Sequence, residues 1–164
     1  MIKKKVSMLG AYAVGKTSLV RRFVHSLFDE KYHSTIGVKI DEKEIRLGEA
    51  DVKLMIWDIA GAEDRFSVPL SYVRGTAGIL LVIDGTRPET LDRGLELIEE
   101  IEAAMDHVPV VVVLNKSDLV DEWKLDDPEL AKLAPLGCPQ YKGSAKTGAG
   151  VEEAFRELTR LIVG

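Results

Sequence analysis

The chain has 164 residues, 46% hydrophobic and 30% charged, the size and balance of one soluble globular domain that buries its own core. A net charge of −5 argues against a nucleic-acid binder, which would carry a basic face. A single cysteine, Cys138, excludes an internal disulfide, and the sequence holds neither a signal peptide nor an apolar run long enough to span a membrane.

In chain order, Val6 to Leu9 reads as a short buried strand, followed by the glycine-bearing stretch GAYAVGKTS at residues 10–18. Ser18 to His25 carries Leu19, Val20, Phe23 and Val24 on one face, the stripe of an amphipathic helix. Residues 38–47 and 52–57 are extended segments around a Gly48–Asp51 turn, and together read as a hairpin. Ile79 to Ile83 and Val108 to Leu114 are β-branched apolar runs of the kind buried on both faces of a parallel sheet. Between them Leu91 to Met105 is helical, with Leu91, Leu95, Ile98, Ile101 and Met105 on one side. A strand near Tyr141 leads to a final helix from Val151 to Val163. Alternating strands and helices with short connections predict a three-layer α/β domain over residues 1–164, a mostly parallel six-stranded sheet with one antiparallel strand and helices on both faces. Its ligand belongs at the carboxyl ends of the strands.

Three stretches carry chemistry. Gly10-x-x-x-x-Gly15-Lys16-Thr17 leaves a strand and opens a helix, so its backbone N–H groups and the helix N-terminus converge on phosphate oxygens. The alternative is a chance glycine-lysine turn, which the placement between strand and helix disfavours. Trp57-Asp58-Ile59-Ala60-Gly61 closes the third extended run; Asp58 can hold Mg²⁺ through water, and Gly61 leaves room for its N–H to approach a terminal phosphate. Asn115-Lys116-Ser117-Asp118 follows another strand. A carboxylate there accepts hydrogen bonds from both N1–H and the exocyclic amino group of guanine, whereas adenine would leave it unpaired. Ser144-Ala145-Lys146 follows the last strand and can offer backbone N–H groups to the guanine carbonyl.

Taken in this order, with a lone Thr35 in STIG, these motifs resemble those of Ras-like small GTPases (P-loop GTPases), and the resemblance covers the whole chain. It implies a GTPase that binds GTP and GDP with Mg²⁺ and converts GTP to GDP and phosphate. The nucleotide would lie against Gly10, Ala13, Val14, Gly15, Lys16, Thr17, Ser18, Phe28, Thr35, Gly61, Asn115, Lys116, Asp118, Ser144, Ala145 and Lys146. Within that set the resemblance gives Phe28 an edge-on contact with guanine and lays Lys116 along the base. It makes Thr17, Thr35 and Asp58 the metal residues and Lys16, Thr35 and Gly61 the catalytic ones. Residues 29–37 and 61–74 would be switches I and II, meeting effector and regulator proteins. The alternative of a non-hydrolysing GTP/GDP-binding scaffold stays open. A P-loop kinase is disfavoured, because the chain has no acceptor-binding lid and N-K-x-D has no role there.

STIGVKI resembles the Rab and Arf side of the superfamily. Ile2 replaces the glycine that N-myristoylation needs, and Leu161–Gly164 holds no cysteine for prenylation, so the expectation is a cytoplasmic, unanchored switch like those of prokaryotes. Two departures stand out. Ala62 occupies the place of the glutamine that orients the attacking water, and Tyr12 occupies a position that is usually small. A ring there would fill the space of that glutamine and of an activator's arginine, leaving Glu63, Arg65 or the phenol itself to register the water. Of the remaining residues, His33 reads as an exposed loop histidine, His25 as a helix-end imidazole suited to the local dipole, Cys138 as structural, and Lys3–Lys5 as a solvated strand edge.

Overall fold

The computed structural model describes residues 1–26, 28, 37–59 and 69–164. Thr35, His33, Gly61, Ala62, Glu63 and Arg65 lie outside the described residues, with most of the segments 29–37 and 61–74 expected to be switches I and II. The strands are β1 (Ile2–Gly10), β2 (Val38–Leu47), β3 (Ala50–Ile59), β4 (Gly78–Asp84), β5 (Val110–Asn115) and β6 (Gln140–Lys142). The helices are α1 (Lys16–His25), α2 (Leu70–Val73), α3 (Glu89–Ala104), α4 (Asp127–Ala131) and α5 (Val151–Val163).

The six strands form one sheet in the order β2-β3-β1-β4-β5-β6. Among the described residues only the β2–β3 hairpin is antiparallel; every other neighbouring pair is parallel. The expected α/β fold is therefore present, mostly parallel with one antiparallel pair. Period-two side-chain alternation splits the apolar residues between two layers. Leu80 and Val82 of β4 and Val111 and Val113 of β5 face α1 and α5, where Phe23 and Phe155 stack with centroids 4.0 Å apart. Ile79, Leu81, Ile83, Val112 and Leu114 face the opposite way, onto Leu91, Leu97, Ile98 and Ile101 of α3. Such runs are buried on both sides, which is why they read as continuous apolar sequence.

Several boundaries move outward. β1 starts at Ile2 because Ile2–Met8 pairs with Val52–Asp58 of β3, so backbone pairing extends the strand through its three lysines. Those lysines are not all a solvated edge. Lys5 donates to the Arg74 carbonyl at 2.9 Å and sits 3.6 Å from the Trp57 ring centroid, which lowers its pKa through burial. α3 ends one residue before Met105, and Leu97 rather than Leu95 is fully buried on it. The short α2 and α4 carry too few turns for a periodic signal.

Candidate nucleotide site

The carboxyl ends of the parallel strands meet at one edge of the sheet. Gly10 is opposite Val82, Met8 opposite Asp58, and Asp84 opposite Asn115. Sheet register alone thus brings the first glycine loop, the D-x-x-G aspartate and the N-K-x-D asparagine together.

The loop from Gly10 to Gly15 turns β1 into α1. A Cβ on Gly10 would lie 2.6 Å from the Val82 carbonyl, so only glycine lets the loop leave the sheet so closely. Gly15 has φ +100°, and a Cβ on it would strike the Asn115 carboxamide nitrogen. It precedes α1 without any side-chain cap, which leaves the first-turn amides of Lys16, Thr17 and Ser18 directed at whatever the loop encloses. Ala13 also adopts a left-handed φ of +61°, an uncommon and strained conformation for a residue with a Cβ.

Lys16 is only 6% exposed, and burial lowers its pKa to about 8, against a partial upward pull from the Asp58 carboxylate. The Thr17 hydroxyl donates to Asp58 Oδ2 at 2.6 Å, and Asp58 is 1% exposed. A hydroxyl and a carboxylate in contact beside a buried ammonium form the hard-oxygen donor set that suits Mg²⁺.

At the end of β5, the Asn115 carboxamide donates through Nδ2 to the Val14 carbonyl at 2.9 Å, while its buried Oδ1 has no partner among the described residues. Lys116, at φ +69°, reaches the Ala13 carbonyl with Nζ at 3.3 Å. Asp118 accepts from the Ser144 hydroxyl at 2.8 Å, which fixes one carboxylate oxygen. The Ser144 N–H is taken by the Ala149 carbonyl, so Ser144 contributes through its hydroxyl rather than through a free amide. Ala145 is buried and Lys146 exposed. Arg22 of α1 braces this last loop, its Nη2 donating to the Thr147 carbonyl at 3.1 Å. Phe28 is 37% exposed, open to stacking.

Sequence reading missed two residues here. Asp84, fully buried at the end of β4, accepts from Lys116 Nζ at 2.7 Å, Arg87 Nε at 2.9 Å, and the N–H and hydroxyl of Thr86. Burial would raise its carboxyl pKa, but these four donors outweigh it and hold the pKa below the usual range. Arg87 in turn donates through Nη2 to the Tyr12 carbonyl at 2.7 Å. The available signal was Asp84-Gly85-Thr86-Arg87, a polar run ending a strand next to β1 and β5 in the sheet.

Tyr12 itself is 45% exposed at the mouth of the loop. Ile40 is also exposed, and it pairs in register with half-buried Trp57 across the hairpin. Tyr72 of α2 is half-buried and Leu70 exposed, so apolar groups from the β2–β3 hairpin and from α2 reach the surface. Trp123 packs over Gly85 and donates to the Leu125 carbonyl, and Cys138 is half-buried with its thiol pKa raised by burial, both structural placements.

The sequence profile of the Ras family matches residues 5–164. Ras-related protein Rab-4 of Dictyostelium discoideum is 35% identical over 161 residues, spanning 97% of this chain and 78% of that protein.

Proposed function

The chain belongs to the Ras family of small GTPases, and from that premise we propose that residues 1–164 form one G domain acting as a Mg²⁺-dependent, slowly hydrolysing guanine-nucleotide switch in the cytoplasm. Family membership makes GTP binding and hydrolysis its general activity, and guanine nucleotides with effector and regulator proteins its general partners. No helix among the described residues is long and apolar enough to cross a membrane.

One observation carries the finer reading. Asp118 and the phosphate loop occupy the same sheet edge and are joined through Asn115 and Lys116, whose side chains donate to the Val14 and Ala13 carbonyls. A base read at Asp118 and a phosphate chain held at Gly15–Ser18 would then lie at a fixed separation.

Lys16 would place its ammonium between the terminal phosphates, and Thr17 and Asp58 would hold Mg²⁺ with Thr35. When bound, the metal would supply neutralisation of phosphate charge. The chain's own part is to keep phosphates, amides and ammonium pre-aligned, since a loose phosphoryl-transfer transition state asks mainly for positioning and charge. Ala62 cannot orient a water, and the Tyr12 ring would crowd that space, so intrinsic turnover belongs at or below about 10⁻⁴ s⁻¹. Thr35 and Gly61 would answer the γ-phosphate by ordering residues 29–37 and 61–74, with Ile40, Trp57 and Tyr72 as the adjoining apolar contact surface for an effector. A non-hydrolysing scaffold differs only in turnover, so single-turnover GTP hydrolysis separates the two.

The direct test is base choice. Asp118→Asn removes the acceptor for two guanine donors and weakens GTP binding by about 2–5 kcal/mol, as expected for a broken buried charged pair. The same variant gains affinity for xanthosine nucleotides, whose extra carbonyl suits an amide donor. Equal affinity of the native protein for ATP and GTP would defeat the assignment.

A further inference from the structure

A peptide unit is planar and trans, so the carbonyl of one residue and the N–H of the next point in opposite directions. Any donor that pins a loop carbonyl outward therefore aims the following N–H inward. Three consecutive carbonyls of the phosphate loop are pinned in this way. Arg87 holds Tyr12, Lys116 holds Ala13 and Asn115 holds Val14, at 2.7, 3.3 and 2.9 Å. The N–H groups of Ala13, Val14 and Gly15 are thereby turned into the loop, continuing the row that the α1 N-terminus begins.

The first of these clamps comes from outside the recognised motifs. Arg87 lies between β4 and α3, and Asp84 fixes its guanidinium by accepting from Nε at 2.9 Å while Nη2 reaches Tyr12. The same Asp84 oxygen, Oδ2, accepts from Lys116 Nζ at 2.7 Å, so one buried carboxylate orients the donors of two adjacent clamps. Ala13 is the residue that most needs such restraint. Its φ of +61° is strained, and a relaxed Tyr12–Ala13 peptide would swing the Ala13 N–H away from the phosphates. A lysine or a neutral side chain at 87 could not bind Asp84 and the Tyr12 carbonyl in this two-pronged way, because only guanidinium offers donors in a rigid fork.

We propose that Arg87 is a positioning residue for nucleotide retention, acting from Asp84 through the Tyr12 carbonyl to aim the Ala13 N–H at the phosphate chain. The inference rests on the guanine-nucleotide reading above. It deepens that reading by assigning Asp84 and Arg87 to the phosphate side of the site.

The test uses the full chain loaded with fluorescently labelled GDP. Arg87→Ala should speed GDP release roughly tenfold, the size of one charge-assisted hydrogen bond lost at a partly exposed position. Arg87→Lys should fall between it and the native protein. The Ala13 amide proton resonance of the GDP complex should move upfield in Arg87→Ala, reporting a weaker hydrogen bond to phosphate. Arg160→Ala, which removes only an ion pair with Glu157 on α5, should leave release unchanged. Native-like release from Arg87→Ala would overturn the proposal. So would faster release with an unmoved Ala13 resonance, since that would mark a packing defect. A native protein that fails to bind labelled GDP would instead bring down the guanine-nucleotide reading itself, and this inference with it.

Discussion

A buried ammonium awaiting a phosphate should cost the empty protein stability. Lys16 is 6% exposed, and burial depresses its pKa from 10.5 to about 8 despite the nearby Asp58 carboxylate. A difference of about 2.5 units at about 1.36 kcal/mol per unit is about 3 kcal/mol of penalty for keeping the charge in the ligand-free fold. The sign follows from proton linkage. Below about pH 8 the side chain is protonated folded and unfolded, and the penalty is fully present. Between about pH 8 and 10.5 the unfolded chain holds more protons than the folded one, so stability rises with pH and the penalty fades. Lys16→Met, of similar length and apolar, should therefore stabilise the nucleotide-free protein at pH 7 by up to about 3 kcal/mol while abolishing nucleotide binding. Urea unfolding of nucleotide-free native and Lys16→Met proteins from pH 7 to 10 gives the comparison. The difference between them should shrink steadily above about pH 8. A Lys16→Met protein less stable than native at pH 7, or a difference independent of pH, would refute the reasoning. Phosphate binding should reverse the shift, so nucleotide binding near pH 8.5 should take up protons, measurable as buffer-dependent heats.

The Thr17–Asp58 pair yields a metal prediction. Thr17→Val keeps the shape but removes the hydroxyl that touches Asp58 at 2.6 Å, so GDP release should lose most of its response to chelation of Mg²⁺; an undiminished chelator effect would remove Thr17 from the metal site. For Tyr12, obstruction and catalysis differ in outcome. If the ring obstructs, Tyr12→Gly with Ala62→Gln raises the single-turnover rate and Tyr12→Phe changes nothing, whereas a rate that falls in Tyr12→Phe would make the phenol a participant. Fast partner-free hydrolysis by the native protein would overturn both accounts of slow turnover.

The sequence alone determined the parts whose signal is local. Glycine spacing at Gly10 and Gly15 marks the loop, and a Cβ would meet the Val82 carbonyl at the first position and the Asn115 side chain at the second. The β-branched runs of β4 and β5 announced a parallel sheet because strands covered on both faces need no polar residue. The stripe on α1 named its core face for the same reason, since burial repeats at helical period. What tertiary structure decided lies where residues far apart in sequence share one charge. Nothing about Asp84 in isolation reveals that it lies opposite Asn115, or that its one carboxylate serves both Lys116 and Arg87. The reach of Arg87 to Tyr12 spans 75 positions and exists only because β4 packs beside β1. Likewise the use of Ser144 through its hydroxyl follows from the Ala149 carbonyl claiming its N–H, a loop closure with no sequence period. Pattern reveals which face of an element is buried. Which polar groups then meet at the sheet edge depends on strand order, and strand order is set by packing of the whole chain.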